Sequence, residues 1–457
     1  MNLVSTGIAD ALRPKMSGPA VAAAALRRLL DRVYDVETGL VRFIAEVPLQ
    51  PEEPALHLAI AEYQNPFLVP PRSLDLAGKE PPETTMMGTG AALDRISALW
   101  STIGEAIERY ALHVYDRDEI VEATPATLDL PCVEPSRMIL FADDQYLEPG
   151  FRFTRYDPSI PIGWARAIDL SDGAPVYLPA TLCYLGYRAT GIAECLDSGY
   201  STGAAAGPTL ALAYHSGLLE AIERDGFACH WYLRRTPPEI DVEKLAGELP
   251  PRLVEMIATA PLRLRFFDLT TDLGVPTVLA LGLPSGGGAV IGASARPTFA
   301  AALEKAAVEA FHTSNWVAEL KRDGMHIEDA ADIRQYRDHV IWHLGPERLT
   351  SLDFILQGDR PAPLPAHDWR GGDDGELLAT LVGHLKSAGY DSYGLEMTPQ
   401  EVEGLDFHVV RSFVPGLHPL GAGTGNEHGD ERRLRRFAEA SGLNFPRTIN
   451  LDPHPFP

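Results

Sequence analysis

Apolar residues recur along the chain at two spacings, and the switch between them marks out the elements. VAAAALRRLLDRVYD carries apolar positions three and four apart and predicts a helix. LVRFIAEVPL behind it alternates and reads as a strand. A Pro-rich connection is expected from Pro66 to about Glu83. The next long helix is predicted over Ala91–Tyr115, introduced by Gly88-Thr89-Gly90, a glycine turn before a helix. Short strands broken by Pro and Gly follow from Met138 to Tyr187, with turns at Asp157-Pro158 and Asp172-Gly173.

A second long helix is predicted from about Thr209 to Arg234. Its entry, STGAAAGP, is small and turn-prone, and Pro208 suits a first helical turn. Two strand-like runs, LRLRFFDLT and VPTVLALGLP, then lead through Gly286-Gly287-Gly288 to a third helix over Thr298–Glu319. Loops near Gly358–Glu376 and Gly421–Glu431 flank a further strand, FHVVRSFV. The C-terminal tail, DPHPFP, is non-helical. Low-complexity tracts and arrays of short repeats are absent.

Composition narrows the chemistry. Across 457 residues, 39 basic side chains face 63 acidic ones, a formal charge of −24 that disfavours nucleic acid and anionic membranes as partners. No run approaches the ~18 apolar residues of a membrane span. The N-terminus lacks a secretory pattern, and four scattered cysteines without a C-x-x-C pair fit a cytoplasmic protein.

The feature that carries chemistry is a duplication. Ser101, Glu105, Glu108 and Arg109 form S-x-x-x-E-x-x-E-R on the first long helix, and Ser216, Glu220, Glu223 and Arg224 repeat it on the second. Every member is displaced by 115 residues, and EAIER is identical in both copies. Steps of four and three put Ser, Glu and Glu on one helical face. One such stripe is commonly a solvated surface pattern. Two matching stripes point to a shared internal site. They would repel each other unless cations intervened, and clustered carboxylates suit Mg²⁺ shared with substrate phosphates. The paired arginines can grip phosphate oxygens in forked geometry. The economical hypothesis is a nucleoside triphosphate clamped with Mg²⁺ between related helices.

Weaker signals flank it. There is no P-loop and no G-x-S-x-G. His339 and His343 have i,i+4 spacing but no H-E-x-x-H order, so they read as surface or helix-end histidines. Cys229-His230 reads as a buried thiol beside an exposed ring. Pro453, Pro455 and Pro457 stiffen the terminus and could fix the terminal carboxylate inside a cleft.

Together, the twin S-x-x-x-E-x-x-E-R helices, the STGAAAG loop, ERDGFACHWY and the terminal PHPFP resemble the YcaO superfamily. The ending resembles that of its azoline-forming branch, the D-protein cyclodehydratases of thiazole/oxazole-modified peptides. The resemblance implies an α/β fold of two pseudo-symmetric sheet-and-helix halves with a nucleotide site between them. It implies an N-terminal helix/strand extension over 1–80 and a YcaO domain with a Pro-rich tail over 81–457. The implied enzyme uses ATP and Mg²⁺ to cyclise Cys, Ser or Thr of a ribosomally made precursor peptide to thiazoline or oxazoline. The substrate side chain attacks the preceding amide carbonyl, ATP phosphorylates that oxygen, and phosphate leaves.

By motif match, Glu105, Glu108, Glu220 and Glu223 would hold metal and phosphates. Ser101, Arg109 and Arg224 would line the nucleotide pocket, with Ser216 a weaker candidate. Pro453, Pro455 and Pro457 would be catalytic through the tail. Implied partners are the precursor peptide, a separate E1-like or ThiF-like leader-binding protein, a flavin dehydrogenase in the same bacteriocin-type pathway, and a second copy as homodimer. Pro208, Leu212 and His312 depart from the family pattern, which commonly has Asn, an acidic residue and Gln there. Backbone thioamidation, amidine formation and a catalytically silent peptide scaffold are the alternatives.

Overall fold

Small residues in three strands let three long helices lie down on them, and this packing organises the protein. The structure, a computed structural model, describes residues 19–50, 53–66, 86–197, 199–284, 287–358, 372–421 and 427–456. Most of the predicted Pro66–Glu83 connection, Gly286 and Pro457 therefore lie outside the described residues.

Helix α1 (Pro19–Val33) precedes an antiparallel sheet of β1 (Val41–Glu46), β2 (His57–Tyr63) and β3 (Met87–Ala92). Helix α2 (Arg95–Ala111) packs on β3. Gly88-Thr89-Gly90, expected as a turn, instead forms the middle of β3. The glycines serve packing: a Cβ at Gly88 would stand 2.6 Å from the Ala106 nitrogen, and one at Gly90 2.4 Å from that of Thr102.

The largest sheet runs β4 (Val121–Ala123), β5 (Ile162–Asp169), β11 (Tyr393–Glu396), β12 (His408–Phe413) and β7 (Ala204–Gly207), with β6 (Pro175–Pro179) paired to β5. The Asp172-Gly173 turn closes the β5–β6 hairpin with Gly173 at φ 75°. Helix α3 (Leu210–Tyr232) lies on β12 and β7. Here too small residues decide the approach, because a Cβ on Gly217 would meet the Gly203 carbonyl at 2.3 Å.

A third antiparallel sheet, β8 (Leu264–Asp268), β9 (Thr277–Gly282) and β10 (Val290–Ala295), carries helix α4 (Phe299–Arg322). Helices α5 (Tyr336–Trp342), α6 (Asp374–Ser387) and α7 (Arg432–Ala440) complete the frame. The β3–α2, β7–α3 and β10–α4 units share a construction: a strand, a short turn, a side-chain N-cap, a helix. Asp94, Thr209 and Thr298 cap the helices by accepting from the backbone N–H of Ser97, Leu212 and Ala301. The two related halves are thus joined by a third unit of the same plan.

Candidate active site

The caps fix the phase of each helix and hence where its polar stripe points. Counted from Asp94 and Thr209, the S-x-x-x-E-x-x-E-R residues fall at equivalent positions, on faces turned inward. Glu105 and Glu108 are 1% exposed, Glu223 6% and Arg224 5%, which excludes a solvated surface pattern. Ser101 and Arg109 are buried beside them, Glu220 is nearly so, and Ser216 is half-buried.

These charges satisfy one another poorly. Arg109 Nε stands 3.5 Å from Glu105, and Arg224 stands 3.6 Å from Glu220 and 3.7 Å from Glu223. Among the described residues, no donor meets either oxygen of Glu105 or Glu108, or Oε1 of Glu220, in good hydrogen-bond geometry. Burial pushes Glu105 up to about 8 against the pull of Arg109 and Lys305, with Glu220 adding to the rise. Burial likewise raises Glu220 to about 7 and Glu223 to about 8, and holds Glu108 well above the carboxylate range. Glu220 acts on Glu105, Glu108 and Arg109, so the stripes of α2 and α3 face one another.

Sequence reasoning missed a third stripe. Counted from Thr298, Lys305 takes the place of Ser101 and Ser216, Glu309 that of Glu105 and Glu220, and His312 that of Glu108 and Glu223. Lys305 Nζ lies 3.6 Å from Glu309, and Glu309 raises both Glu220 and Glu223. Burial and then Lys305 lower His312 to about 4, so the ring is neutral near pH 7. A cleft of about 450 Å³ is lined by Ser101, Glu105, Lys305, Glu309, His312 and Phe456. The signal available was the shared register of cap and helix, since only the glutamate recurs.

The tail reaches this cleft by running back along α3. Asn450 N–H donates to the Tyr232 carbonyl at 2.7 Å, and Trp231 Nε1–H donates to the Asp452 carbonyl at 3.0 Å. Arg234 sits at φ 47° and pairs with Asp452 at 2.6 Å. His454 stacks on His339 with centroids 3.9 Å apart, and its Nδ1 accepts from Phe456 N–H. Phe456 packs edge-on to Phe227 at 4.8 Å and lies under the Arg224 guanidinium at 4.0 Å. Pro453 and Pro455 flank His454 in this path, and Pro455 is buried. Pro457 lies outside the described residues.

Two smaller readings need correction. His339 and His343 are both buried, His343 at the C-terminal end of α5, because the tail and neighbouring helices cover them. His230 is also buried rather than exposed: its Nδ1 approaches the Gly226 carbonyl at 2.8 Å and Phe437 packs on its ring.

A family model described as YcaO cyclodehydratase, ATP- and Mg²⁺-binding, matches residues 87–418, more than half of the chain. The chain belongs to the YcaO family. Its fold agrees with a heterocyclase solved in complex with substrate and cofactor (TM-score 0.78, 23% identity, covering 100% of this chain and 59% of that one). It agrees too with the YcaO of Methanopyrus kandleri bound to AMPPCP and Mg²⁺ (TM-score 0.61, 21% identity, 87% of this chain and 91% of that one). In sequence, an uncharacterised protein from the tfuA 3′ region of Rhizobium leguminosarum bv. trifolii is 28% identical over 201 residues, 43% of this chain and 44% of the relative. The chain thus matches less than half the length of that relative.

The cleft of this YcaO chain fits the family's ligands. Among the described residues no three His, Cys, Asp or Glu side chains form a ready metal cage. Mg²⁺ does not require one, since it usually keeps waters and phosphate oxygens and takes only one or two carboxylates. The buried oxygens of Glu105 and Glu108 and Oε1 of Glu220, which lack hydrogen-bond donors among the described residues, are ligands such an ion would take. Pro208 and Leu212 lie at the entry to α3: Pro208 leads into the Thr209 cap, and Leu212 N–H is the group that Thr209 Oγ1 accepts.

Proposed function

We propose that this YcaO protein is an ATP- and Mg²⁺-dependent peptide cyclodehydratase that converts Cys, Ser or Thr of a precursor peptide to an azoline. The observation that carries the reading is a buried cleft where carboxyls from separate helices are gathered with few hydrogen-bond donors among the described residues. Such an arrangement is costly to ionise in the empty protein, where protons are held instead, and a cationic ligand offsets that cost. Glu105, Glu108, Glu220 and Glu223 would hold Mg²⁺, with Glu309 from α4 as a fifth carboxylate. Arg109, Arg224 and Lys305 would take up the phosphate oxygens, and Ser101 would line the nucleotide pocket.

The nucleotide supplies a phosphoryl group that turns the amide oxygen into a leaving group. The protein's share is alignment, charge neutralisation and exclusion of water. Phe456, 2% exposed, closes one wall of the cleft and keeps the Arg224 guanidinium in place from beneath. The docked tail supports azoline chemistry because it carries Pro453 and Pro455 along α3 to that wall.

The described part of residues 1–80 is largely used in the β1–β3 sheet and its covering helix. Peptide delivery is assigned to a separate leader-binding partner of the E1-like or ThiF-like kind, as the family resemblance implies. The test is to incubate the protein, that partner and a Cys-rich precursor with Mg-ATP, then weigh the peptide. Loss of water at Cys, Ser or Thr with phosphate release is the expected result. Exchange of oxygen for sulfur would instead indicate thioamidation, and unchanged peptide with no phosphate released would indicate a silent scaffold.

A further inference from the structure

Proline has no backbone N–H, so between 453 and 457 the tail offers backbone donors only at His454 and Phe456. The second of these is taken by the first residue's own ring. His454 Nδ1 accepts the Phe456 N–H at 3.2 Å, a side chain bonding its backbone two residues on, as Asn and Asp do in turns. The other ring nitrogen, Nε2, lies 2.9 Å from the Gly421 carbonyl. An N–H can only donate and a carbonyl can only accept. Nδ1 is therefore bare and Nε2 carries the proton, which is one tautomer of the neutral imidazole. Burial above all, with His343 and Arg224 adding to it, pulls the pKa of the ring down to about 3, so this form holds near pH 7.

The ring has little freedom of its own. It is buried, lies on His339 at 3.9 Å with 2° between the planes, and meets Phe227 edge-on at 6.1 Å. What it holds is a wall of the charged cleft. Phe456 lines that cleft, and the Arg224 guanidinium sits 4.0 Å above its ring centre. Arg224 in turn stands beside Glu220 and Glu223. Prolines stiffen the tail, but they leave the dihedrals of Phe456 unset. The bond from Phe456 to His454 restricts them.

We infer that His454 is a positioning residue, whose ring fixes the Phe456 backbone and so sets the Phe456 side chain under Arg224 at the cleft. This deepens the cyclodehydratase reading and rests on it for its kinetic readout. The plainer alternative is that His454 only fills space, for which any ring of its size would serve.

Three substitutions separate these. His454→Asn keeps an acceptor near the place of Nδ1, and His454→Gln keeps a donor near that of Nε2. His454→Phe keeps a ring to stack on His339 but neither hydrogen bond. Each full chain is incubated with the leader-binding partner, a Cys-rich precursor and Mg-ATP. Turnover should follow the Phe456 bond. His454→Asn should stay close to the unmodified chain, whereas His454→Gln and His454→Phe should lose about 10-fold or more in kcat. KM for ATP should hold in all three, because a displaced wall costs alignment. Hydrogen exchange of the Phe456 amide, read by NMR with isotope-labelled phenylalanine, is independent of the reaction. It should be slow in the unmodified chain and His454→Asn, and fast in the other two. If His454→Asn does not fold, His454→Phe against the unmodified chain decides the matter on both readouts. Full turnover in His454→Phe, or a Phe456 amide that exchanges equally in every variant, would overturn the inference. A Phe456 amide slow in the unmodified chain and fast in His454→Phe, with no ring formed by either, would count against the cyclodehydratase reading and leave the placing role intact. Rings formed at the full rate by His454→Phe would do the reverse.

Discussion

Helix α3 carries two buried charge clusters on different faces, and they are built by opposite rules. On one, Asp225 accepts from Arg433 at 2.7–3.0 Å through both oxygens, takes the His418 backbone N–H at 2.9 Å, and shares Arg433 with Asp272 at 2.7 Å. On the other, Glu220 and Glu223 lie 3.6–3.7 Å from Arg224, and burial pushes both carboxyls up. The first cluster is satisfied within the protein save for Nη1 of Arg433, and it ties α7 to α3. The second is left open. A buried charge group completed by the protein serves the fold, whereas one that the protein gathers and leaves incomplete is prepared for something that arrives later.

Substitution should separate the two sharply. Asp225→Ala leaves the buried Arg433 with Asp272 alone and frees the His418 N–H, and should cost roughly 3 kcal/mol of stability in denaturant unfolding. Glu108→Gln removes a buried carboxylate that has no donor, so the melting temperature should hold or rise while phosphate release falls by about 100-fold or more. If both variants lost stability alike, or Glu108→Gln kept normal turnover, the distinction would fail.

The open cluster should also show itself through pH. Glu105 and Glu223 are raised to about 8 and Glu220 to about 7, so the folded chain without cations holds these protons more tightly than the unfolded chain. Stability of the cation-free protein therefore falls as pH rises from the ordinary carboxylate range towards about 8. Magnesium nucleotide binds the deprotonated form, so the melting-temperature gain it gives should be larger at about pH 8 than at about pH 6. A gain that shrinks with rising pH would contradict the carboxylate assignment.

Smaller effects belong to the edges of the cleft. Deleting Phe456 and Pro457 should impair cyclisation more than nucleotide binding, measured by peptide mass and calorimetry on the same samples. His312→Gln and Leu212→Asp, which restore the family's usual residue types, should change the magnesium concentration for half-maximal phosphate release by a few fold at most. A larger change would make these positions metal-binding rather than peripheral.

The stripes on α2 and α3 were legible because EAIER is repeated intact and because four-and-three spacing places its members on one face whatever the tertiary structure. The α4 stripe was not. Lys305, Glu309 and His312 share with the other two only a glutamate and a distance from the Thr298 cap, and the sequence pattern does not reveal which cap residue sets the phase. Long helices were placed to within a few residues, since their apolar periodicity is sustained. Gly88-Thr89-Gly90 was misread because glycine signals both a turn and a strand pressed against a helix, and only the packing of α2 on β3 chooses between them. The tail's stiffness was readable from its prolines. Its course along Trp231, Phe227 and Arg224 was not, because it depends on where α3 ends.

The account's central claim is that carboxylates from separate helices close around one magnesium-bound nucleotide. Calorimetric titration of a non-hydrolysable ATP analogue, with and without Mg²⁺, into the unmodified chain and a folded Glu105→Gln/Glu220→Gln variant tests it directly. The account predicts saturable binding that requires Mg²⁺ and disappears in the variant. Binding that is as strong without Mg²⁺, or undiminished in the variant, would contradict it.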